Sequence, residues 1–214
     1  MTVTDKTMGM EKVCIGIALA AVLWFVMFAP WTAPHINFWW VMTISALALT
    51  GFSLLADGEN IRKALRLDLK QVAAGLVIAF LLWWVFWIGD KVSQMLFSFA
   101  RPQVDMIYSI RDGSNPTVIA LLLLFIIGPA EEIFWRGFVQ RRLMARFDPN
   151  VGFVLATACY TLVHIWSFNF MLVMAAMVVG GCWGLIYRFF PRSLVALIVS
   201  HAIWDACAFV LFTF

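Results

Sequence analysis

Residues 121–136 read Leu121-Leu-Leu-Leu-Phe-Ile-Ile-Gly-Pro-Ala-Glu-Glu-Ile-Phe-Trp-Arg136, a strongly apolar run with two adjacent glutamates near its end. Together with the apolar residues on either side, this run is long enough for a helix that crosses a bilayer. An ionisable side chain at bilayer depth costs about 2.5–3.5 kcal/mol on insertion scales. Glu131 and Glu132 therefore indicate a functional site inside a membrane.

The composition of the whole chain is that of a polytopic membrane protein. Of its 214 residues, 64% are hydrophobic, whereas a soluble domain has roughly 45–50% apolar residues. No long polar region separates the apolar runs, so residues 1–214 are predicted to form a single transmembrane domain. The net charge of +3 is small and its basic residues lie in short loops. This pattern fits a lipid bilayer as partner and excludes a nucleic acid.

Seven apolar runs are long enough to span a bilayer, at about 20 residues each. They fall at 13–29, 37–56, 71–89, 117–138, 151–167, 169–187 and 193–213. The predicted fold is therefore all-α with about seven transmembrane helices, six to eight being compatible with the pattern. For the segment from about Asp90 to Pro116, an interfacial or partly re-entrant helix and an ordinary surface loop remain equal alternatives. Gly180 and Gly184 have the small-xxx-small spacing that indicates close helix packing.

The distribution of basic residues orients the chain. With the N-terminus inside, eleven lysines and arginines fall in inside segments and three fall in outside segments, with Arg136 set aside. The inside residues are Lys6, Lys12, Arg62, Lys63, Arg66, Lys70, Arg141, Arg142, Arg146, Arg188 and Arg192, and the outside residues are Lys91, Arg101 and Arg111. The positive-inside rule then predicts an inside N-terminus and an outside C-terminus.

Ionisable residues within the predicted spans form pairs at helical spacing. Glu132 and Arg136 are four residues apart, so they share a helix face and are predicted to form an ion pair. Glu131 is rotated by about 100° from Glu132, which leaves it free for chemistry. The same spacing of four relates two further pairs, Tyr160 with His164 and His201 with Asp205. Helices four, five and seven thus each present a polar stripe, and the site is expected between them.

This set of side chains supports two kinds of hydrolytic chemistry. In one, Glu131 takes a proton from water and a histidine stabilises the oxyanion. In the other, Glu131, His164, His201 and Asp205 bind a divalent metal that activates the water. The sequence lacks H-E-x-x-H, so the zinc chemistry of that motif is not indicated. No cofactor is expected, and a divalent metal stays open as an alternative.

Gly128-Pro129 immediately precedes the glutamates. Proline removes one helical hydrogen bond and is predicted to leave the carbonyl of Phe125 unpaired. Such breaks in membrane helices are tolerated where they line a cavity or where neighbours satisfy the freed groups. The sequence therefore leaves two alternatives open, a kink that opens space beside Glu131 and a kink that serves packing alone.

The three polar segments together resemble the CAAX protease and bacteriocin-processing family, also called the Abi or type II CAAX prenyl endopeptidase-like family. That family has E-E-x-x-x-R, then an aromatic-x-x-x-H, then H-x-x-x-N or H-x-x-x-D. Here the motifs read Glu131-Glu-Ile-Phe-Trp-Arg136, Tyr160-Thr-Leu-Val-His164 and His201-Ala-Ile-Trp-Asp205, in the same order. The resemblance covers about residues 117–210, which would form the catalytic core.

The resemblance implies a glutamic-type intramembrane endopeptidase. By analogy with the family, Glu131 and His164 would activate water, while His201 and Asp205 would stabilise the oxyanion, with Glu132, Arg136 and Tyr160 in support. Aspartate at 205 replaces the usual asparagine. An ionised aspartate would repel an oxyanion, so Asp205 is protonated, orients His201 or binds metal; orientation of His201 is the favoured interpretation.

The implied reaction is hydrolysis of a peptide bond near the C-terminus of a membrane-associated protein or lipidated peptide, such as a prenylated CAAX-like tail or a sorting helix. The implied location is a prokaryotic cytoplasmic (inner) membrane. Two alternatives remain: a non-catalytic bacteriocin self-immunity or scaffold protein of the same fold, and a small proton-coupled transporter in which the buried Glu and His form a relay.

Overall fold

The computed structural model describes the backbone of residues 3–214 and the side chains from Gly9 onward. Within that range the regular elements are helical, and seven of them are long and apolar enough to span a membrane. The prediction of an all-α polytopic protein with seven spans is confirmed. The elements are α1 Val3–Phe28, α2 Phe38–Ala64, α3 Leu69–Leu96, α4 Ala100–Ser109, α5 Pro116–Arg146, α6 Pro149–Ser167, α7 Phe170–Phe189 and α8 Leu194–Leu211.

Polar caps fix where most of these helices begin. Five of the helix starts have an Asn or Asp whose side chain accepts a hydrogen bond from a backbone N–H of the first turn: Asn37, Asp68, Asn115, Asp148 and Asn169. Pro116 and Pro149 occupy the first helical position, where a missing N–H costs nothing. These caps interrupt the apolar sequence and divide it into separate helices.

The second, third and fourth helices continue past the predicted ends at residues 56, 89 and 138, because hydropathy does not detect polar helical turns. The second helix continues beyond residue 56 to Ala64, with a kink at Asp57 (φ −156°, ψ 32°). Asp57 is buried and accepts hydrogen bonds from Arg141 and Arg142, the latter at 2.5 Å. The third helix likewise continues past Asp90 to Leu96. The turn at Asp57 is stabilised by this contact with another helix, whereas Asp90 accepts a hydrogen bond within α3 from Gln94 Nε2 at 2.6 Å. A window of apolar residues records neither interaction.

The segment between the third and fourth spans contains a short helix, α4, instead of irregular loop alone. Asn169 Nδ2 donates to the carbonyl of Gln103 at 2.8 Å, and the backbone N–H of Met171 donates to Gln103 Oε1 at 3.0 Å, which ties α4 to the start of α7. Of the two alternatives for this segment, the structure has the helix. The connections on this side, 29–37, 97–115 and 168–169, form what we call the α4 face.

The opposite side of the bundle consists of the connections 65–68, 147–148 and 190–193. We call it the basic face, because the helix ends that meet there carry Arg62, Arg66, Arg141, Arg146 and Arg192. An odd number of spans puts the first and last helices' outer ends on opposite sides. The α4 face and the basic face are therefore the two ends of the domain, one on each side of the membrane.

Glycines allow the closest helix crossings. A Cβ at Gly75 would lie 2.6 Å from the carbonyl oxygen of Ala196, and one at Gly128 would lie 2.8 Å from the Cα of Ala202. The first crossing joins α3 to α8 and the second joins α5 to α8. The predicted close packing at Gly180 is also present, since a Cβ there would lie 2.7 Å from Cδ1 of Tyr160. Backbones approach this closely only when no side chain intervenes.

The α5 helix changes its hydrogen-bond pattern around the glutamates. Two π-helical segments, Leu123–Ile127 and Ile133–Gln140, flank the α-helical turn Gly128–Glu132. The backbone N–H of Gly128 bonds to the carbonyl of Leu123, five residues earlier. The chain thus stays helical through Pro129, and the disturbance is taken up as wider turns. Such π segments occur frequently at functional sites.

We expect Gly75→Ala to destabilise the fold, because its methyl group meets the backbone of α8. The loss should be about 1–3 kcal/mol, typical of overpacking. Thermal unfolding in detergent measures it, with Gly51→Ala as the matched control. Gly51 also lies within a helix, but an added Cβ has no atom within 4 Å, so the control should gain stability by up to ~1 kcal/mol from helix propensity. Equal melting temperatures for the two variants would contradict the proposed crossing.

Candidate active site

The side chains predicted to form the site come together in one cavity of about 420 Å³. Glu131 from α5, Tyr160 and His164 from α6, and His201 and Asp205 from α8 all line it. These are the fourth, fifth and seventh spanning helices, as expected from the three polar stripes. Most of the other lining residues are apolar and come from α1, α2, α3, α4 and α7. The site is therefore a small polar patch in a largely apolar chamber.

Glu132 and Arg136 form the predicted ion pair, with Arg136 Nη1 2.7 Å from Glu132 Oε1 and both side chains buried. Arg136 also donates to the carbonyl of Gly180 at 3.3 Å. Its guanidinium lies over the rings of Tyr160, at 4.8 Å, and Trp183, at 5.5 Å. Cation–π contacts of this kind stabilise a desolvated cation. Tyr160 thus supports the site through Arg136 as well as through the helix that bears His164.

His201 has a carboxylate oxygen near each ring nitrogen. Nδ1 lies 2.7 Å from Glu132 Oε1 and Nε2 lies 3.3 Å from Asp205 Oδ2. Carboxylates only accept hydrogen bonds, so an imidazolium that donates from both nitrogens suits this position. Trp183 stacks on the ring, with centroids 4.1 Å apart. The Asp205 contact agrees with the interpretation that Asp205 orients His201.

The contact between Glu132 and His201 was not predicted from the sequence. It joins α5 to α8, and it depends on the close approach of Gly128 to Ala202 one turn away. Helical spacing predicts pairs within one helix and carries no information about which helices meet. The glycine directly before Pro129 was the available signal, because a glycine inside an apolar helix often marks a crossing point.

Glu131 differs from its neighbour in its surroundings. It is 7% exposed and lines the cavity, whereas Glu132 is fully buried behind it and does not. Among the residues that the structure describes, none donates a hydrogen bond to Oε2 of either glutamate, but Oε1 of Glu132 accepts from Arg136 and meets His201, whereas Glu131 has no such partner. A buried carboxylate oxygen without a donor is unfavourable unless water or a ligand occupies the space beside it. Glu131 is thus available to hold a water molecule in the cavity.

His164 has both ring nitrogens in hydrogen bonds. Nδ1 lies 2.8 Å from the carbonyl of Tyr160, and the indole Nε1 of Trp24 donates to Nε2 at 3.1 Å. An indole N–H only donates and a carbonyl only accepts. His164 is therefore the neutral tautomer with its proton on Nδ1. Trp24, on α1, lies outside all three motifs, and no spacing in the sequence connects it to His164.

Asp90 is a second lining residue that the sequence did not identify as part of the site. It is buried within α3, and its Oδ2 accepts from Gln94 Nε2 at 2.6 Å and lies 3.1 Å from Lys91 Nζ. Because the predicted third span ended at residue 89, Asp90 was assigned to the segment after it and was not counted among the ionisable residues of the spans. Asp90 adds a carboxylate to the wall of the cavity on the side of α3.

The four candidate metal ligands do not converge on one point. Among the side chains that the structure describes, from residue 9 to residue 214, no group of three His, Cys, Asp or Glu has the arrangement of a metal site. The ring nitrogens of His164 are used by Trp24 and Tyr160, and those of His201 face two carboxylates. A metal would have to displace these contacts, so the present donor set does not fit one.

Comparison with known proteins gives one finding. A family model described as Type II CAAX prenyl endopeptidase Rce1-like matches residues 113–207. The matched range contains all three motifs, so the resemblance stated from the sequence is confirmed. The family is one of CAAX-type membrane proteases. No curated protein and no solved structure matches the chain significantly.

We expect Trp24→Phe to shift the ¹⁵N resonance of Nε2 in His164 without changing the tautomer. Phenylalanine retains an aromatic ring but lacks the donor, so Nε2 loses its hydrogen bond, while Nδ1 still donates its proton to the carbonyl of Tyr160. Removing one buried hydrogen bond should also lower the free energy of unfolding by about 0.5–1.5 kcal/mol. The ¹⁵N shifts of the histidine rings report both the tautomer and the hydrogen bond, with Trp31→Phe, at an exposed indole, as the control. An unchanged Nε2 shift of His164 in Trp24→Phe would show that the indole does not donate to this nitrogen.

Proposed function

We propose that this chain, whose residues 113–207 match the family model described as Type II CAAX prenyl endopeptidase Rce1-like, is an intramembrane endopeptidase in which Glu131 activates water. The observation that carries the proposal is the position of Glu131. Its carboxylate lines the cavity and has no ion-pair partner among the described side chains. The neighbouring Glu132, by contrast, is paired with Arg136. A general base needs such a free lone pair within reach of water.

In the proposed reaction, Glu131 accepts a proton from a water molecule while the water oxygen attacks the carbonyl carbon of the substrate. The C–N bond of the resulting tetrahedral intermediate then breaks. Glu131 returns its proton to the leaving nitrogen, which departs as an amine, and the other product is a carboxylic acid. Each water is consumed once, and the glutamate ends the cycle ionised as it began.

His201 is the proposed donor to the oxyanion. Its Nε2 lies 3.3 Å from Asp205 Oδ2, which is long for a charged hydrogen bond. In the proposed reaction this N–H donates instead to the negative charge that develops on the substrate oxygen. Preorganised donors of this kind provide much of the rate enhancement in acyl transfer. Asp205 then acts through His201 by orientation and does not face the oxyanion itself.

Glu132 and Arg136 have a supporting role in this proposal. Glu132 Oε1 is shared by Arg136 and His201, so it fixes the ring of His201 and compensates both cations. His164, held by Trp24 and Tyr160, provides a fixed wall on the other side of the cavity. For His164 to share the water directly with Glu131, the Trp24 indole has to release Nε2.

The proposed substrate is a peptide segment of a membrane-associated protein or a lipidated peptide, cut near its C-terminus. The largely apolar walls of the cavity favour an apolar chain. The proposed location is a prokaryotic cytoplasmic membrane with the N-terminus inside, in agreement with the excess of basic residues on one face. A scaffold or immunity protein of the same fold would not depend on an ionised Glu131. The variant Glu131→Gln therefore distinguishes that alternative from an endopeptidase.

We expect Glu131→Gln to impair hydrolysis and Glu132→Gln to impair the stability of the fold. Glu131→Gln removes the base and should lower the hydrolysis rate by about 10²–10⁴-fold, with little effect on folding. Glu132→Gln leaves Arg136 buried without its counter-ion, so the fold should lose about 3–5 kcal/mol. Peptidase activity in detergent and thermal unfolding separate the two effects. Unchanged hydrolysis in a folded Glu131→Gln variant would refute the mechanism.

We expect Asp205→Asn to retain substantial activity, because an amide oxygen still accepts a hydrogen bond from His201. The loss should correspond to one weakened hydrogen bond, about 0.5–1.5 kcal/mol. Activity measured with and without a metal chelator should be equal in the wild type and in this variant. A requirement for metal together with loss of activity in Asp205→Asn would instead assign Asp205 as a metal ligand.

A further inference from the structure

We infer that the active site takes its substrate from the extracytoplasmic side of the membrane, as an apolar peptide segment associated with the outer leaflet. This inference rests on the proposed function and adds the side and the kind of substrate. It follows from three features of the molecule: where the cavity opens, where the bundle is closed, and how the basic residues are distributed.

The cavity lies in the half of the bundle next to the α4 face. Each contributing helix provides the residues at its end nearest to α4. These are Trp24 and Phe28 at the end of α1, Phe38 and Trp39 at the start of α2, Asp90 and Ser93 near the end of α3, and Phe170 and Met171 at the start of α7. Val104, Ile107 and Tyr108 of α4 itself complete the lining. Glu131 lies at the inner end of this chamber.

A second cavity of about 380 Å³ adjoins the first on the same face. It lies between the connections of the α4 face and is lined by polar groups that include Asn37, Asp112, Ser114, Ser167 and Asn169. Phe28, Trp39 and Ile107 line both cavities. Polar groups at this position give water a route from the α4 face towards the apolar chamber.

An exposed aromatic rim lies beside the main cavity, where a membrane-bound segment would enter. Phe97 follows α3 and Phe170 begins α7; both line the cavity and are 40% and 47% exposed. Their ring centroids are 6.1 Å apart, and Phe99 packs on Phe170 at 5.9 Å. Phenylalanine is one of the residues that interfacial segments bury at the boundary between headgroups and acyl chains. This rim suits an apolar segment that approaches within the leaflet.

On the side of the basic face, the bundle below the site is packed. Phe134, Trp135, Phe138 and Val139 of α5 are at most 1% exposed. Further along the same helix, Gln140 donates to the carbonyl of Gly184 at 2.7 Å. None of these five residues lines either cavity. The site therefore opens to the α4 face and is closed towards the basic face.

The basic face is the cytoplasmic one by the positive-inside rule. Eleven lysines and arginines belong to the segments of that face and three to the α4 face. The bias in short loops sets the orientation of a polytopic protein. The open side of the active site is then extracytoplasmic. A lipidated tail held in the cytoplasmic leaflet would meet the packed side, so a translocated segment is the substrate that fits.

Sided thiol labelling tests the orientation. In a variant without the four native cysteines, Ser109→Cys puts one thiol on α4, and Leu67→Cys puts one on the basic face. Both positions are exposed, Leu67 at 83%. In intact bacterial cells, a membrane-impermeant maleimide should label the cysteine at 109 and should label the cysteine at 67 only after the membrane is opened. The reverse pattern would overturn the inference.

Sided activity tests the access route. A pool of internally quenched peptides, each with an apolar half and a charged impermeant tag, is added to detergent-solubilised protein, to spheroplasts and to inside-out vesicles. Glu131→Gln is the blank in each case. We expect Glu131-dependent hydrolysis in detergent and in spheroplasts, with loss of the signal in intact inside-out vesicles.

The outcomes separate the inference from the proposed function. Hydrolysis in detergent and in inside-out vesicles, with none in spheroplasts, would leave the endopeptidase in place and overturn extracytoplasmic access. Hydrolysis in no preparation would count against the endopeptidase itself. Hydrolysis confined to detergent and spheroplasts supports both.

Discussion

The structure depends on a chain of buried charges that runs across two helices. Arg136, Glu132, His201 and Asp205 follow one another at 2.7, 2.7 and 3.3 Å, and three of the four side chains are almost inaccessible. In a low-dielectric interior, each of these charges alone would be strongly unfavourable, and removal of one partner costs about 3–5 kcal/mol. The alternation of sign makes the set self-compensating. Helices α5 and α8 must therefore keep one register for the set to exist.

That register is fixed by small residues and by aromatic rings around the charges. Gly128 allows α5 to meet α8 at Ala202, and Gly180 allows α7 to accept the ring of Tyr160. Trp183 then stacks on His201 while its own indole N–H donates to Ser200 at 3.0 Å. The tryptophans thus pack against the polar groups and satisfy hydrogen bonds at the same time. This combination suits a site that has to be both dry and rigid.

Against this compensated background, Glu131 is the exception, and the proposed chemistry rests on it. It is adjacent in sequence to Glu132 but points to the cavity rather than to the charge chain. The rotation of about 100° per residue in a helix gives one carboxylate to the charge chain and leaves the other at the cavity wall. The π-helical segments on both sides change the hydrogen-bond pattern of the α5 backbone around this turn. Under the proposed function, the side on which the cavity opens also sets the direction of substrate entry.

The sequence alone determined the seven spans, the Glu132–Arg136 pair and the separation of Glu131 from that pair, because hydropathy and helical periodicity are local properties. It also carried the family motifs, since these are short and ordered along the chain. The contact of Glu132 with His201, the hydrogen bond of Trp24 to His164 and the place of Asp90 in the cavity wall emerge only when the helices pack. The same is true of the polar turn at Asp57, where α2 continues because its carboxylate meets Arg141 and Arg142. Contacts between helices depend on which faces pack together, and spacing within one helix does not encode that.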